Sequence, residues 1–474
     1  MRKLSLLLPF IAALFLVSCG KEESSQNNAS PLVEITSSES YSSTEFVAAV
    51  SQGNYFKSYF GDNATLSSVM DKALNLLVGT RSYTIDTVRA KMQNVSLLRY
   101  KRDWQVETHT FYYRSISSFG EPIMLSGRVS FPNAVAQDGH EVKTLSIVNH
   151  YFVDDDVVPG FELSGFSLRA LYNSAVIEPD FQGYGVARGY SYCGFSYDVE
   201  ARQMADCLFA ALEIMRQHGV RLADDGHTTL WGYSIVMPAA VAFMRYYDEQ
   251  MTAEQRDAIR LKSAFVGGGP MLMDRLLQNM DSELDYDASL LRLVFPLIGA
   301  IPEYQFGGYA LKELVPEWMH EVKVNVDGQQ YTFYDAMMKR LPGIEAQRPS
   351  EYTSSKLKNN FAAEVCNDKG HLDYSNAKTK VIMDLFHRLS DWGDWMPSAD
   401  IYITHSLDDN RMPYNQDKEF YDSKKACGKL HWKDIHSGVG GLLYGDDGHS
   451  AATLDATIST ILYEEPANAW RNAQ

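Results

Sequence analysis

From Gln105 onward the chain sets short apolar runs against longer stretches whose apolar residues recur every three to four positions. Gln105–Ser117 alternates like a strand, Phe119-Gly120-Glu121-Pro122 has turn composition, and alternation resumes over Ile123–Phe131 before Pro132. That pattern predicts an antiparallel hairpin. Two compact apolar runs follow, Thr144–Asn149 (TLSIVN) and Ser174–Glu178 (SAVIE), the second closed by Pro179-Asp180. Both read as buried strands. Val199, Leu208, Ala211, Leu212 and Met215 then recur near one face of a stretch from about Val199 to His218, and Gly219 supplies a stop. A helix is predicted there. His227–Trp231 (HTTLW) is the next strand, Pro238 onwards (PAAVAFMRYY) the next helix, and Leu261–Val266 a strand ended by Gly267-Gly268-Gly269-Pro270.

Between about Met273 and Thr379 the alternation disappears into helix-like stretches, several prolines and many tyrosines. It returns with a helix near Lys380–Leu389, a strand at Asp400–Thr404, a helix near Asn415–Lys425, a strand near Lys429–Ile435 and a final helix at Ser450–Tyr463. Strands alternating with helices predict an α/β fold, a mostly parallel central sheet flanked by helices. The interruption, about residues 273–379, reads as a largely helical cap inserted between the sixth and seventh strands; long insertions in compact domains usually serve function. Glu45 to Met92 has scattered apolar positions that suit short helices before the core.

The first residues follow a different logic. Arg2 and Lys3 precede an apolar run from Leu4 to Val17, too short for a comfortable permanent span and flanked like a signal peptide. Leu16-Val17-Ser18-Cys19 resembles a bacterial lipobox. The resemblance implies cleavage after residue 18 and acylation of Cys19, with palmitate-type chains anchoring the protein to a membrane. Gly20-Lys21-Glu22-Glu23 resembles the surface-export signal of Bacteroidetes lipoproteins, which implies an outer-membrane protein facing the cell exterior; a polar tether with incidental charges is the alternative. Ser24 to Ser43, rich in Ser, Asn, Thr and Glu, reads as a flexible linker. The organisation expected is therefore a signal peptide over 1–18, a linker over 19–43 and one catalytic-size domain over 44–474.

Composition narrows the partners. The 474 residues carry a formal net charge of −17, which argues against nucleic acid or an anionic membrane surface as the main partner. Cys193, Cys207, Cys366 and Cys427 remain beside Cys19; two disulfides and free buried thiols both fit their spacing, and no zinc-ligand pairing of cysteines is visible.

Candidate chemistry centres on Trp231-Gly232-Tyr233-Ser234-Ile235-Val236, which lies between a predicted strand and a predicted helix. That is where a nucleophile elbow belongs: a sharp turn lifts the serine hydroxyl, and the amide of the next residue, Ile235, helps bind an oxyanion. Gly232 supplies the first small residue of G-x-S-x-G, while Val236 stands where the second glycine is usual. Three further segments match in order. Ala175-Val176-Ile177-Glu178-Pro179-Asp180-Phe181-Gln182-Gly183-Tyr184-Gly185, the hairpin segment Leu125–Val129 with Pro132, and Ile403-Thr404-His405-Ser406-Leu407-Asp408-Asp409-Asn410-Arg411-Met412-Pro413 together resemble the secretory lipase group of the α/β-hydrolase superfamily. Gly448-His449-Ser450 opens the last helix, where that group places its histidine.

The resemblance implies a Ser234–Asp409–His449 triad, with Asp408 second to Asp409 and His436 a competitor of His449. The second oxyanion donor is expected from the amide of Tyr151 or Phe152, in a loop where the group has His-Gly and this chain has His150-Tyr151-Phe152. Asp154-Asp155-Asp156 reads as a solvated loop. The function expected is a serine esterase that takes a small ester substrate and needs no metal or organic cofactor. A serine peptidase of the same superfamily and an inactive hydrolase-fold binding lipoprotein are the rival readings.

Overall fold

The computed structural model describes residues 30–54, 57, 105–133, 140–150, 158, 160, 162–190, 192–282, 308–326, 328–339, 341, 344, 347–352, 357–409, 411–435, 448–449, 452–453 and 456. All eight predicted strands form. They are β2 (Gln105–Ile116), β3 (Pro122–Asn133), β4 (His140–Val148), β5 (Ser174–Pro179), β6 (Val220–Tyr233), β7 (Leu261–Gly267), β10 (Asp400–Ser406) and β11 (Leu430–Ile435). With β1 (Leu32–Ser42) they make one sheet in the order β1-β2-β3-β5-β4-β6-β7-β10-β11. The pairs from β5 across to β11 are parallel, and β1, β2 and β3 join antiparallel.

Alternate residues of the central strands feed two separate cores, because successive side chains leave a strand on opposite faces. On one face Ala175, Ile177, Leu230, Ile401 and Ile403 meet α2 (Tyr197–Gln217) and α3 (Met237–Glu249) in the larger core. On the other, Val176, Trp231 and Tyr233 meet Phe46 and Val50 of α1 (Ser43–Gln52) and Ala452 and Ala456 of the last helical segment. A sheet covered on both faces explains why these strands read as continuous apolar runs. The short helix α4 (Ala253–Ile259), opened by a Thr252/Gln255 capping box, returns the chain from α3 to β7.

The predicted linker is corrected over Leu32–Ser42, which is strand β1, paired antiparallel with β2 from Leu32↔Tyr113 to Ser42↔Gln105. Its polar composition suits an edge: Ser37 Oγ lies 2.6 Å from Thr110 Oγ1 and Ser38 Oγ 2.8 Å from His109 Nδ1, so hydroxyls replace apolar contacts. Ser42 then caps α1 through a box with Glu45. The four described cysteines are free thiols, three of them buried.

Where described, the insertion between β7 and β10 contains α5 (Met273–Ser282), three short helices (Leu311–Leu314, Trp318–Glu321, Phe333–Met338) and α6 (Ala377–Leu389). It adds an unexpected two-stranded hairpin, β8 (Lys323–Val326) with β9 (Gln329–Thr332). Trp318 stacks on Tyr352 at 4.6 Å and meets Phe333 at 4.9 Å, an aromatic cluster continuous with the larger core. After β10 the chain forms α7 (Tyr414–Lys424) before β11. No helix among the described residues is long and apolar enough to cross a membrane.

The motif after β5 is structural. Asp180 accepts Ser126 Oγ at 2.6 Å and the Gly160 amide at 3.1 Å, and burial pushes its carboxyl up to about 7. Gly185 sits at φ 52°, and a side chain there would meet Ser126 Oγ at 2.1 Å, so the glycine lets the loop cross the hairpin closely.

Candidate active site

Strand β6 ends at Tyr233, and the chain reverses at once into a single 3-10 turn, Ser234–Val236, that feeds α3. Ser234 sits at φ 59°, a conformation that costs a non-glycine residue of order 1–3 kcal/mol and persists only where its surroundings enforce it. Those surroundings are close-packed. A Cβ on Gly232 would stand 2.7 Å from Val236 O and 2.8 Å from Ala240 Cβ, and one on Gly269 would stand 2.6 Å from Ser234 O and 2.4 Å from Met237 Cβ. The crowding falls on Gly232 and on Gly269 of the β7 terminus. Val236, at φ −95° and 1% exposed, is accommodated without a left-handed backbone. The sequence marked the triple glycine only as a strand end; its third member forms a wall of the elbow.

His449 lies across the turn. Its Nε2 is 2.8 Å from Ser234 Oγ and its Nδ1 is 2.7 Å from Asp409 Oδ2. Gly448 permits that approach, since a side chain there would meet Ser406 Oγ at 2.6 Å and Asp408 O at 2.7 Å. The rings of His449 and Tyr233 pack edge to face with centroids 5.3 Å apart. Three residues drawn from positions 234, 409 and 449 thus meet in one hydrogen-bonded line. Asp408 is exposed, and its amide donates to Ser406 Oγ.

The carboxylate of Asp409 is fixed from both sides. Oδ1 accepts the Arg411 and Met412 amides, each at 2.8 Å. Oδ2 faces His449 and, at 3.3 Å, Nε2 of His405. Burial pushes the Asp409 carboxyl up, but its interactions with the His449 and His405 imidazoles outweigh it and hold the group below the usual carboxylate range. His405 is fully buried, with Nδ1 2.9 Å from Asp417 Oδ2 on α7 and Nε2 3.2 Å from Met412 O. Asp417 Oδ2 also accepts the Gly269 amide at 3.2 Å, so one carboxylate ties the acid loop to the wall of the elbow. His405 stood inside the quoted acid-loop motif, but nothing in the sequence linked it to Asp417.

Ile235, whose amide was expected to face an oxyanion, follows Ser234 within the turn. Tyr151, Phe152, Asp154-Asp155-Asp156, His436, Cys19 and the export segment lie outside the described residues. At the end of β4 the Asn149 amide donates to Trp231 O at 3.3 Å, which holds this point of the chain beside the end of β6.

Solved structures share this architecture. A single-site mutant of the rice cell wall degrading esterase LipA from Xanthomonas oryzae aligns with a TM-score of 0.55 at 16% identity, over 79% of this chain and 95% of its own. The ligand-bound form of LipA aligns with 0.54 at 16% identity, over 80% and 94%. A protein from Legionella pneumophila aligns with 0.51 at 13% identity, over 81% and 96%. No family model matches the chain, and no curated protein matches its sequence. At these identities the likeness establishes the fold, and the chain has the α/β-hydrolase fold.

Proposed function

We propose that the chain is a serine hydrolase that cleaves carboxylic esters, with Ser234 as nucleophile, His449 as general base and acid, and Asp409 as the group that fixes the imidazole. The observation that carries this reading is the unbroken line Ser234 Oγ–His449 Nε2 at 2.8 Å and His449 Nδ1–Asp409 Oδ2 at 2.7 Å, ending on a carboxylate buried and bonded by two amides. In that arrangement Nδ1–H donates to Asp409, so Nε2 presents its lone pair to the serine proton.

The steps follow from that proton position. Ser234 Oγ forms a bond to the ester carbonyl carbon as His449 Nε2 takes its proton. Nε2 then returns the proton to the departing alkoxide, which leaves as alcohol. Water attacks the acyl-enzyme with the same base and releases the acid and Ser234. The amides of Ile235 and of Tyr151 or Phe152 are the proposed oxyanion donors. The esterase activity in the name of LipA agrees with esters over peptides. The test is turnover of p-nitrophenyl esters of several acyl lengths by the full chain beside Ser234→Ala. Activity lost in the variant with its fold intact is the result expected; full activity in the variant removes Ser234 from the reaction.

We also propose export, acylation at Cys19 and display on the outer membrane. Intact-mass measurement of the processed chain and its Cys19→Ala variant reads the acyl chains directly. A processed chain carrying none overturns this part and leaves the hydrolase reading untouched.

A further inference from the structure

One cluster of titratable side chains has no part in the reaction above. Glu107 and His109 lie two residues apart on β2, so the pleat turns both to one face of the strand. His218, the residue that ends α2, comes down on that face. Its Nδ1 is 2.9 Å from Glu107 Oε2, and His109 Nε2 is 3.4 Å from the same oxygen. The two imidazole centroids are 4.3 Å apart, and one ligand atom from each of the three residues falls within 4.8 Å of the others.

Two features separate this cluster from an ordinary ion pair. His109 is 1% exposed, yet its Nε2, 3.4 Å from Glu107 Oε2, is buried without a hydrogen-bond partner. Leaving such a group unbonded costs roughly 1–3 kcal/mol, and a cation between the two atoms removes that cost. The atoms that face away are held from behind: His109 Nδ1 is 2.8 Å from Ser38 Oγ of β1, and Glu107 Oε1 accepts Asn133 Nδ2. Metal-bound histidines and carboxylates are oriented in this way by outer partners.

We propose that Glu107, His109 and His218 bind a zinc-type divalent cation, with water completing the coordination. Bonds of about 2.0–2.1 Å at a tetrahedral centre put neighbouring ligand atoms roughly 3.3 Å apart, and the separations of 2.9 and 3.4 Å bracket that value. Two imidazole nitrogens with one carboxylate oxygen suit zinc; calcium and magnesium take oxygen sets. The His218 side chain is 34% exposed and gives the ion its path from solvent. β2 runs in the direction of β6 through the intervening pairings. Glu107 and His109 near its start therefore sit at the opposite end of the sheet from Ser234. The ion fastens the end of α2 to β2 and, through Ser38, braces β1.

The test uses the metal-stripped full chain and its His218→Ala and Glu107→Gln variants, titrated with zinc chloride by calorimetry and loaded with cobalt(II) for visible absorption. One equivalent of zinc should bind the parent chain and raise its melting temperature. Binding should weaken at least about ten-fold in each variant, and the tetrahedral cobalt bands should disappear. Unchanged circular dichroism of metal-free His218→Ala shows that lost binding is not lost fold. No zinc bound by the parent, or equal binding by parent and both variants, overturns the proposal.

Discussion

His405 Nε2 lies 3.3 Å from Asp409 Oδ2, so the oxygen that faces His449 is shared between two imidazoles. With Asp417 on its other nitrogen at 2.9 Å, His405 is a buried cation between two buried carboxylates. Removing it leaves Asp409 with His449 and two amides but leaves Asp417 buried with only the Gly269 amide. His405→Asn is expected to lower unfolding free energy by about 3–5 kcal/mol, measured by urea titration. His405→Asn with Asp417→Asn should recover part of that loss, because the second change removes the buried acid that lost its imidazole partner.

The same pair sets a pH dependence. Burial lowers the His405 pKa, but its bonds to Asp409 and Asp417 outweigh burial and hold it at about 10. A free imidazole titrates near 6.5. The folded value is raised, so this contribution is complete below about pH 6.5 and is lost as pH rises through 10. Asp409 is depressed, so its contribution is present above about pH 4 and lost as pH falls through its folded value. Urea midpoints followed from pH 6 to 10 should decline, and the decline should be shallower in His405→Asn.

Ser234→Ala and Ser234→Gly are expected to abolish turnover alike, by a factor on the order of 10⁵ or more in kcat. Their stabilities should part. At φ 59° alanine keeps the strain of a Cβ and glycine relieves it, so Ser234→Gly should be the more stable by about 1 kcal/mol. Thermal melts of the two variants check this.

Gly269→Ala places a methyl 2.4 Å from Met237 Cβ and 2.6 Å from Ser234 O. Overpacking of this kind costs about 1–3 kcal/mol, and here it displaces the elbow. A fall in kcat with a smaller change in KM is expected from steady-state ester hydrolysis.

Asp409→Asn and Asp408→Asn discriminate the two neighbouring acids. The first removes the carboxylate on His449 Nδ1 and should cut kcat by about 10⁴. The second changes an exposed side chain and should leave kcat within two-fold of the parent.

Much of this was legible in the chain because burial writes a strong pattern. Strand Ser174–Pro179 is buried at every residue, since helices cover both faces of the sheet. Gly232, Gly448 and Pro413 fixed the turns from which Ser234, His449 and Asp409 emerge. β1 was missed because an edge strand bonded through Ser37 and Ser38 has the composition of a linker. The roles of Gly269 and Asp417 were missed because both depend on contacts across the fold, between Gly269 and Ser234 and between Asp417 and His405. Periodicity carries no information about such pairs.

β1 also shapes how neighbouring molecules behave when crowded. Among the described residues it ends the sheet, with side chains exposed at Val33, Glu34 and Thr36 through Ser40, and its register against β2 slips twice, at Leu32/Glu34 and Ile35/Ser37. A second copy docking on that margin would exclude little oily surface, would confront Glu34 and Glu39 with their duplicates, and would find the template kinked. Such a margin disfavours pairing of one copy's sheet with another's into a continuous ribbon.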